Sequence, residues 1–294
     1  MKGQKPSFQR HIYGAIESGH PAIVYFATSG RRSHVIPIVG HTFVEDMWPP
    51  KADSTYFNYK RLGRAGHITS DAWLGAFIAH DDNCGTHVRV PPRYLYVQPK
   101  CRKLLRRSHP CDVLPPCVLH VIATAPQAAA ISVGDADVLA DAYLRPVLKA
   151  YRSKPVQNSQ WRDRVTRYAA AKRLVLRLVL VSLKEYAEHL RYERGVLGCG
   201  VSDKVTEALH EAPTKHAWMA EISLGELFSR HRHKVGEVLI NAGTMAPEDQ
   251  DDPRRRFIMA RLPGYIITVD QQFRMRFDPS EAAHHVPLFR CSNV

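Results

Sequence analysis

Apolar positions recur at helical spacing in Ser7–Ser18, where Ile12, Tyr13 and Ile16 fall on one side and Gly19 supplies a stop. Beyond Pro21 the pattern turns extended. Ala22–Ala27 is a continuous apolar run, Ser29-Gly30-Arg31-Arg32 is a turn, and His34–Phe43 is a second strand. This order predicts a hairpin. Pro37 has no N–H to give a ladder, so the second strand is expected at a sheet edge or at a bulge. Strict alternation sets His34 on the face of Ile36 and Ile38 and turns His41 to the opposite face. Asp46–Asp53 reads as a loop. Ala76–Ala79 reads as a short buried strand ending in His80-Asp81-Asp82-Asn83, and Val88–Val97 as a strand pair broken by Pro91-Pro92.

The middle of the chain is helical. Leucine and alanine at helical spacing predict a helix over Asp135–Tyr151, kinked or divided by Pro146. Asn158 caps a second helix running to Lys172. Leu174–Leu183 is β-rich, and Glu185–Arg194 is helical with a stop at Gly195. Strands are expected at Ala217–Ile222, Val235–Asn241, Phe257–Arg261 and Tyr265–Val269, with a loop at Met245–Arg256. The class predicted is α+β, with a first region over 1–125 and a helical, then strand-rich region over 126–294. No linker separates the two, so one continuous domain is also open.

Composition narrows the class further. The 294 residues are 45% hydrophobic and 23% charged, which excludes wholesale disorder and collagen-like architecture. No apolar run reaches the about 18 residues that span a bilayer, and Arg177 interrupts the longest, Leu174–Leu183. The charge is unusual: 41 Lys+Arg against 28 Asp+Glu give +13. Such a surplus suits a polyanion, and nucleic-acid contact is one expectation for it. A solvated basic face is the other. The densest runs, Lys100–Arg107 and Arg254-Arg255-Arg256, have few aromatics beside them, and no nucleic-acid module or phosphate-binding glycine loop is present. Six cysteines are too few for a disulfide framework, and Met1–Pro6 leads into no apolar stretch, so a reduced, cytoplasmic protein is expected. Cys101, His109, Cys111, Cys117 and His120 lack paired metal-ligand spacing and read as scattered groups, so no metal and no cofactor is expected.

Candidate chemistry lies at two strand ends. A histidine base needs an acceptor on its far ring nitrogen to fix its tautomer. His34 heads one strand, and Asp81 and Asp82 end another. The helix followed by Ser18-Gly19-His20-Pro21, the segment Ser33-His34-Val35-Ile36-Pro37-Ile38-Val39-Gly40-His41 and the strand ending His80-Asp81-Asp82-Asn83 together resemble the papain-like cysteine peptidases, nearest the branch that processes bacteriocins at double-glycine sites. The resemblance spans roughly residues 8–97. It implies a partial papain-like fold and a thiol hydrolase of peptide or isopeptide bonds acting on a peptide or protein, with His34 as base and Asp81 or Asp82 as its orienter. In that family the nucleophilic cysteine precedes the histidine. Here 33 residues precede His34, and no cysteine comes before Cys84. The expectation divides: a thiol supplied from upstream, or a catalytically impaired protein that binds or regulates. Cys84 is the one nearby thiol that could be rewired.

Overall fold

Helix α1 (Phe8–Glu17) buries Ile12, Tyr13 and Ile16. It ends where Gly19 takes φ +76°, a left-handed conformation that costs glycine little. The computed structural model describes residues 8–27, 33–44, 67–92, 117–156, 159–197, 205, 209, 214–246, 249, 252–280 and 285–290. After α1 the chain forms β1 (Ala22–Ala27) and β2 (Ser33–Phe43), an antiparallel pair as expected. Next come β3 (Ile68–Thr69), β4 (Leu74–Asp81), β5 (Gly85–Val90) and β6 (Cys117–Ala123).

A five-stranded antiparallel sheet has the order β5-β4-β2-β1-β6. Its central strand is β2, which corrects the edge position expected from Pro37. Pro37 precedes the first pair with β4, Ile38 opposite Ala79, so the ladder on that side loses nothing to the missing N–H. The bulge is present instead, between Ile38 and Gly40. It adds one residue to β2 and changes the parity of every side chain beyond it. His41 therefore lies opposite Phe77, on the face that Ala79 shares with Ile38, and not on the opposite face that strict alternation predicts. Val24, Ile36, Ile38, Phe77 and Ala79 on that face pack against α1.

Helices α2 (Val133–Tyr151) and α3 (Ser159–Ala170) follow, then β7 (Leu174–Ser182) and α4 (Leu183–Leu197). A capping box between Ser132 and Asp135 starts α2. Pro146 does not divide α2: it sits on the exposed side, while Ala140, Leu144, Val147 and Tyr151 hold the other side in the core. Nor does Gly195 end α4, because glycine inside a helix costs only about 1 kcal/mol relative to alanine. The remaining strands are β8 (His216–Leu224), β9 (His233–Lys234), β10 (Gly236–Asn241), β11 (Phe257–Leu262), β12 (Tyr265–Val269), β13 (Met275–Pro279) and β14 (Val286–Pro287). A turn of 3-10 helix, Pro253–Arg256, closes the loop before β11.

The second sheet is seven-stranded, in the order β13-β12-β11-β10-β8-β7-β3, and antiparallel except for the β3–β7 pair. One face, with Leu174, Leu176, Leu178, Ile222, Val238 and Leu262, packs on α2 and α3. The other, with Val179, Val181, Met219, Leu239 and Met259, packs on Tyr186 and Leu190 of α4. The architecture is mixed α+β with antiparallel sheets. Strand β3, from the first region, joins the sheet of the second, and α1 packs on both β2 and β7. Among the described residues no helix is long and apolar enough to cross a membrane. Cys101, His109 and Cys111, the loop Asp46–Asp53 and the basic run Lys100–Arg107 lie outside the described residues.

Candidate active site

Strands β2 and β4 run antiparallel, so the start of one meets the end of the other. Counting back from Ile38 opposite Ala79, His34 reaches the turn that joins β4 to β5. Its Nε2 lies 3.2 Å from Asp81 Oδ2 and 3.3 Å from Asp82 Oδ1. The structure thus brings together all three residues that the sequence singles out.

The geometry separates the two aspartates, which the sequence left equivalent. Asp81 Oδ1 accepts the backbone N–H groups of Asn83 (2.8 Å) and Cys84 (3.1 Å), an Asx turn that fixes the carboxylate. The Asn83 N–H foremost, then those of Cys84 and His34, hold the Asp81 carboxyl below the usual carboxylate range. The side chain of Asp81 is 13% exposed and that of Asp82 81%. Oδ1 is taken by the turn, so Oδ2 faces the imidazole. A carboxylate only accepts, so the proton of neutral His34 sits on Nε2 and the lone pair on Nδ1. The Asn83 amide, 3.4 Å from the same nitrogen, donates instead to Asp82 Oδ1 at 3.1 Å. Phe26, directly opposite His34 on β1, lies perpendicular to its ring, with ring centres 5.6 Å apart. Cys84 is exposed, and among the described residues no thiol is hydrogen-bonded to His34. His34, Asp81 and Asp82 are also the group of three donors among the described residues that could hold a metal ion.

Seven residues along the same strand, His41 makes a second histidine–carboxylate pair, with Glu17 of α1 at 2.5 Å. It is nearly closed to solvent, with Phe43 edge-to-face and Tyr13 tilted against its ring. From Glu17 a chain of buried charges crosses the second sheet. Arg177 Nε bonds Glu17, and its Nη1 bonds Glu221 Oε2 at 2.6 Å. Lys234 Nζ sits between Glu221 Oε1 (3.1 Å) and Glu237 Oε2 (2.6 Å). Arg261 joins Glu237 to Glu193 of α4, which meets His189 at 2.8 Å. Strand register builds this row: Arg177 is opposite Glu221, Glu221 opposite Glu237, and Glu237 opposite Arg261. Burial alone would raise the carboxyls, but Arg177 with His41 lowers Glu17 to about 2, and Arg261 with Lys234 lowers Glu237 to about 2.

Sequence reasoning registered Arg177 only as an interruption and missed the rest. The signal was present: Arg177, Glu221, Glu237 and Arg261 are each a charge set in an otherwise apolar strand. A buried charge demands a partner, and four such strands in one sheet supply partners to one another. The chain matches no family model, no curated protein and no solved structure.

Proposed function

We propose that the five-stranded sheet carries the base and the orienter of a papain-like thiol hydrolase acting on peptide or isopeptide bonds. The observation behind this reading is the His34–Asp81 pair: Nε2 at 3.2 Å from an oxygen of a carboxylate that two backbone N–H groups already fix. Asp81 holds the ring proton on Nε2 and stabilises the imidazolium. Nδ1 is left to take the proton of a thiol. The thiolate attacks the carbonyl carbon, and the imidazolium returns the proton to the leaving amine. Water, deprotonated by the same nitrogen, then releases the acyl group. Cys84 is not the favoured nucleophile, because it leaves the turn on the exposed side and its thiol makes no hydrogen bond to His34.

The rival reading, a polyanion-binding surface, has one of its two basic runs tied into contacts within the chain, although Arg254 and Arg255 stay exposed. Arg254 pairs with Asp252, Arg255 with Asp249, and Arg256 donates to the carbonyls of Asn241 and Gly243. That run closes a loop of its own chain.

The test uses protein produced from its complete reading frame, treated with a peptide vinyl sulfone and mapped by mass spectrometry. A single modified thiol is expected in the wild type and none in His34→Ala. Equal labelling of both would overturn the reading.

A further inference from the structure

We propose that His34 Nε2, Asp81 Oδ2 and Asp82 Oδ1 form a three-donor site for a divalent ion of the zinc class, and that this ion competes with the base function of His34. The competition rests on the function proposed above; the binding does not.

Three features carry it. The first is spacing. The two oxygens lie 3.2 and 3.3 Å from the nitrogen, and all three atoms are within 4.8 Å of one another. Bonds of about 2.0–2.1 Å in a tetrahedron place neighbouring ligands about 3.3–3.4 Å apart. The second is charge. Two carboxylates converge on one nitrogen whose single hydrogen satisfies one of them. An ordinary dyad needs Asp81 alone. Asp82 is 81% exposed and free to swing to water, yet its Oδ1 is turned to His34 and braced by the Asn83 amide at 3.1 Å. The third is ligand type. Imidazole and carboxylate oxygens suit zinc, and three protein donors leave the open fourth position of a non-structural site.

The ion acts on the base through the tautomer. A neutral imidazole owns one proton and one lone pair. Metal bound through Nε2 takes the lone pair there, and the ring proton moves to Nδ1. The ring gains or loses no proton overall, but Nδ1 can no longer accept one from a thiol. Asp81 changes from hydrogen-bond acceptor to ligand. Occupancy and general-base action are therefore mutually exclusive.

Zinc chloride titrated into the metal-free chain by calorimetry tests the binding. One equivalent is expected whose binding is absent in His34→Gln. In Asp82→Asn it should weaken by more than about 10-fold, since even an outer-shell change costs a metal site about 10–100-fold. Asp82 is exposed, so that variant folds. Diethyl pyrocarbonate supplies a second readout. Zinc should protect His34 from modification in the wild type and fail to do so in Asp82→Asn. Cobalt in place of zinc should give no thiolate charge-transfer band from this site. Zinc binding equal in wild type and both variants, or no binding at all, overturns the site. Protection of His34 without loss of peptide turnover in the complete protein leaves the site standing and overturns the competition, and with it His34 as base.

Discussion

Arg177 stands directly opposite Glu221 across the β7–β8 ladder, and its Nη1 meets Glu221 Oε2 at 2.6 Å inside the protein. Taking both charges out of water is costly, and what makes the pair tolerable is that neither is alone: Glu17 takes the other side of Arg177, and Lys234 the other side of Glu221. Removing one member strands the others. Arg177→Met should cost about 3–5 kcal/mol. Arg145→Ala, which removes an exposed arginine from its pair with Asp141, should cost under about 1 kcal/mol. Urea unfolding of the two variants compares them directly, and equal losses would contradict the role given to the row.

Stability should fall at acid pH and again as pH rises above 6.5, for two separate reasons. Glu17 and Glu237 sit at about 2 in the folded protein, below their ordinary 4.5. Their contribution is present above 4.5 and is lost as pH falls toward 2. His67 has the opposite sign. Its side chain is closed to solvent between Asp137 (3.4 Å) and Asp141 (3.5 Å). Burial pushes its pKa down, but the two carboxylates outweigh burial and raise it above the ordinary 6.5. Its contribution is complete below 6.5 and disappears as pH rises through the raised value. The stability gap between wild type and His67→Gln should therefore be widest below pH 6.5 and shrink above it, in denaturation curves taken across that range.

Gly236 is required by a close approach. A Cβ there would meet the Arg261 carbonyl oxygen at 2.3 Å and a Leu262 methyl at 2.9 Å. The oxygen belongs to the β10–β11 ladder and cannot withdraw without opening it. Gly236→Ala should lose at least the about 1–3 kcal/mol of an overpacked core. Gly134→Ala, whose Cβ would find only Ser132 Oγ at 3.5 Å, should be neutral or stabilising, because alanine favours the helix. Thermal unfolding of both separates local crowding from a general intolerance of alanine.

Much of this architecture was legible in the sequence. The apolar runs marked β7, β8, β10, β11 and β12, because buried strands leave continuous hydrophobic segments, and also β1 and β2, although one face of that pair leaves Ile23, Val35 and Val39 exposed. The bulge in β2 was half-announced by Pro37, but its place was not, and one extra residue reversed the face of His41. Strand β6 escaped notice because its first residue, Cys117, follows two prolines and its partner β1 lies about ninety residues earlier. The His34–Asp81–Asp82 cluster was legible only through the family resemblance, since the adjacency of β2 and β4 that brings the strand ends together is itself a long-range pairing. The row from Glu17 to Glu193 was not, since pairing among Arg177, Glu221, Glu237 and Arg261 depends on long-range register.

The tautomer of His34 follows from Asp81 and is open to observation. Long-range nitrogen–proton spectra of the neutral ring should show the proton on Nε2 in the wild type. A ring protonated on Nδ1 in the metal-free wild type would contradict the geometry.

The most direct test of the central claim is kcat/KM on a fluorogenic peptide, for protein produced from its complete reading frame. His34→Ala should lose about 100- to 10,000-fold, the contribution of a positioned base. Asp81→Asn should fall substantially too, and further than Asp82→Asn, since Asp81 is the carboxylate that the turn fixes against the ring. A wild-type rate that survives His34→Ala unchanged would contradict the account.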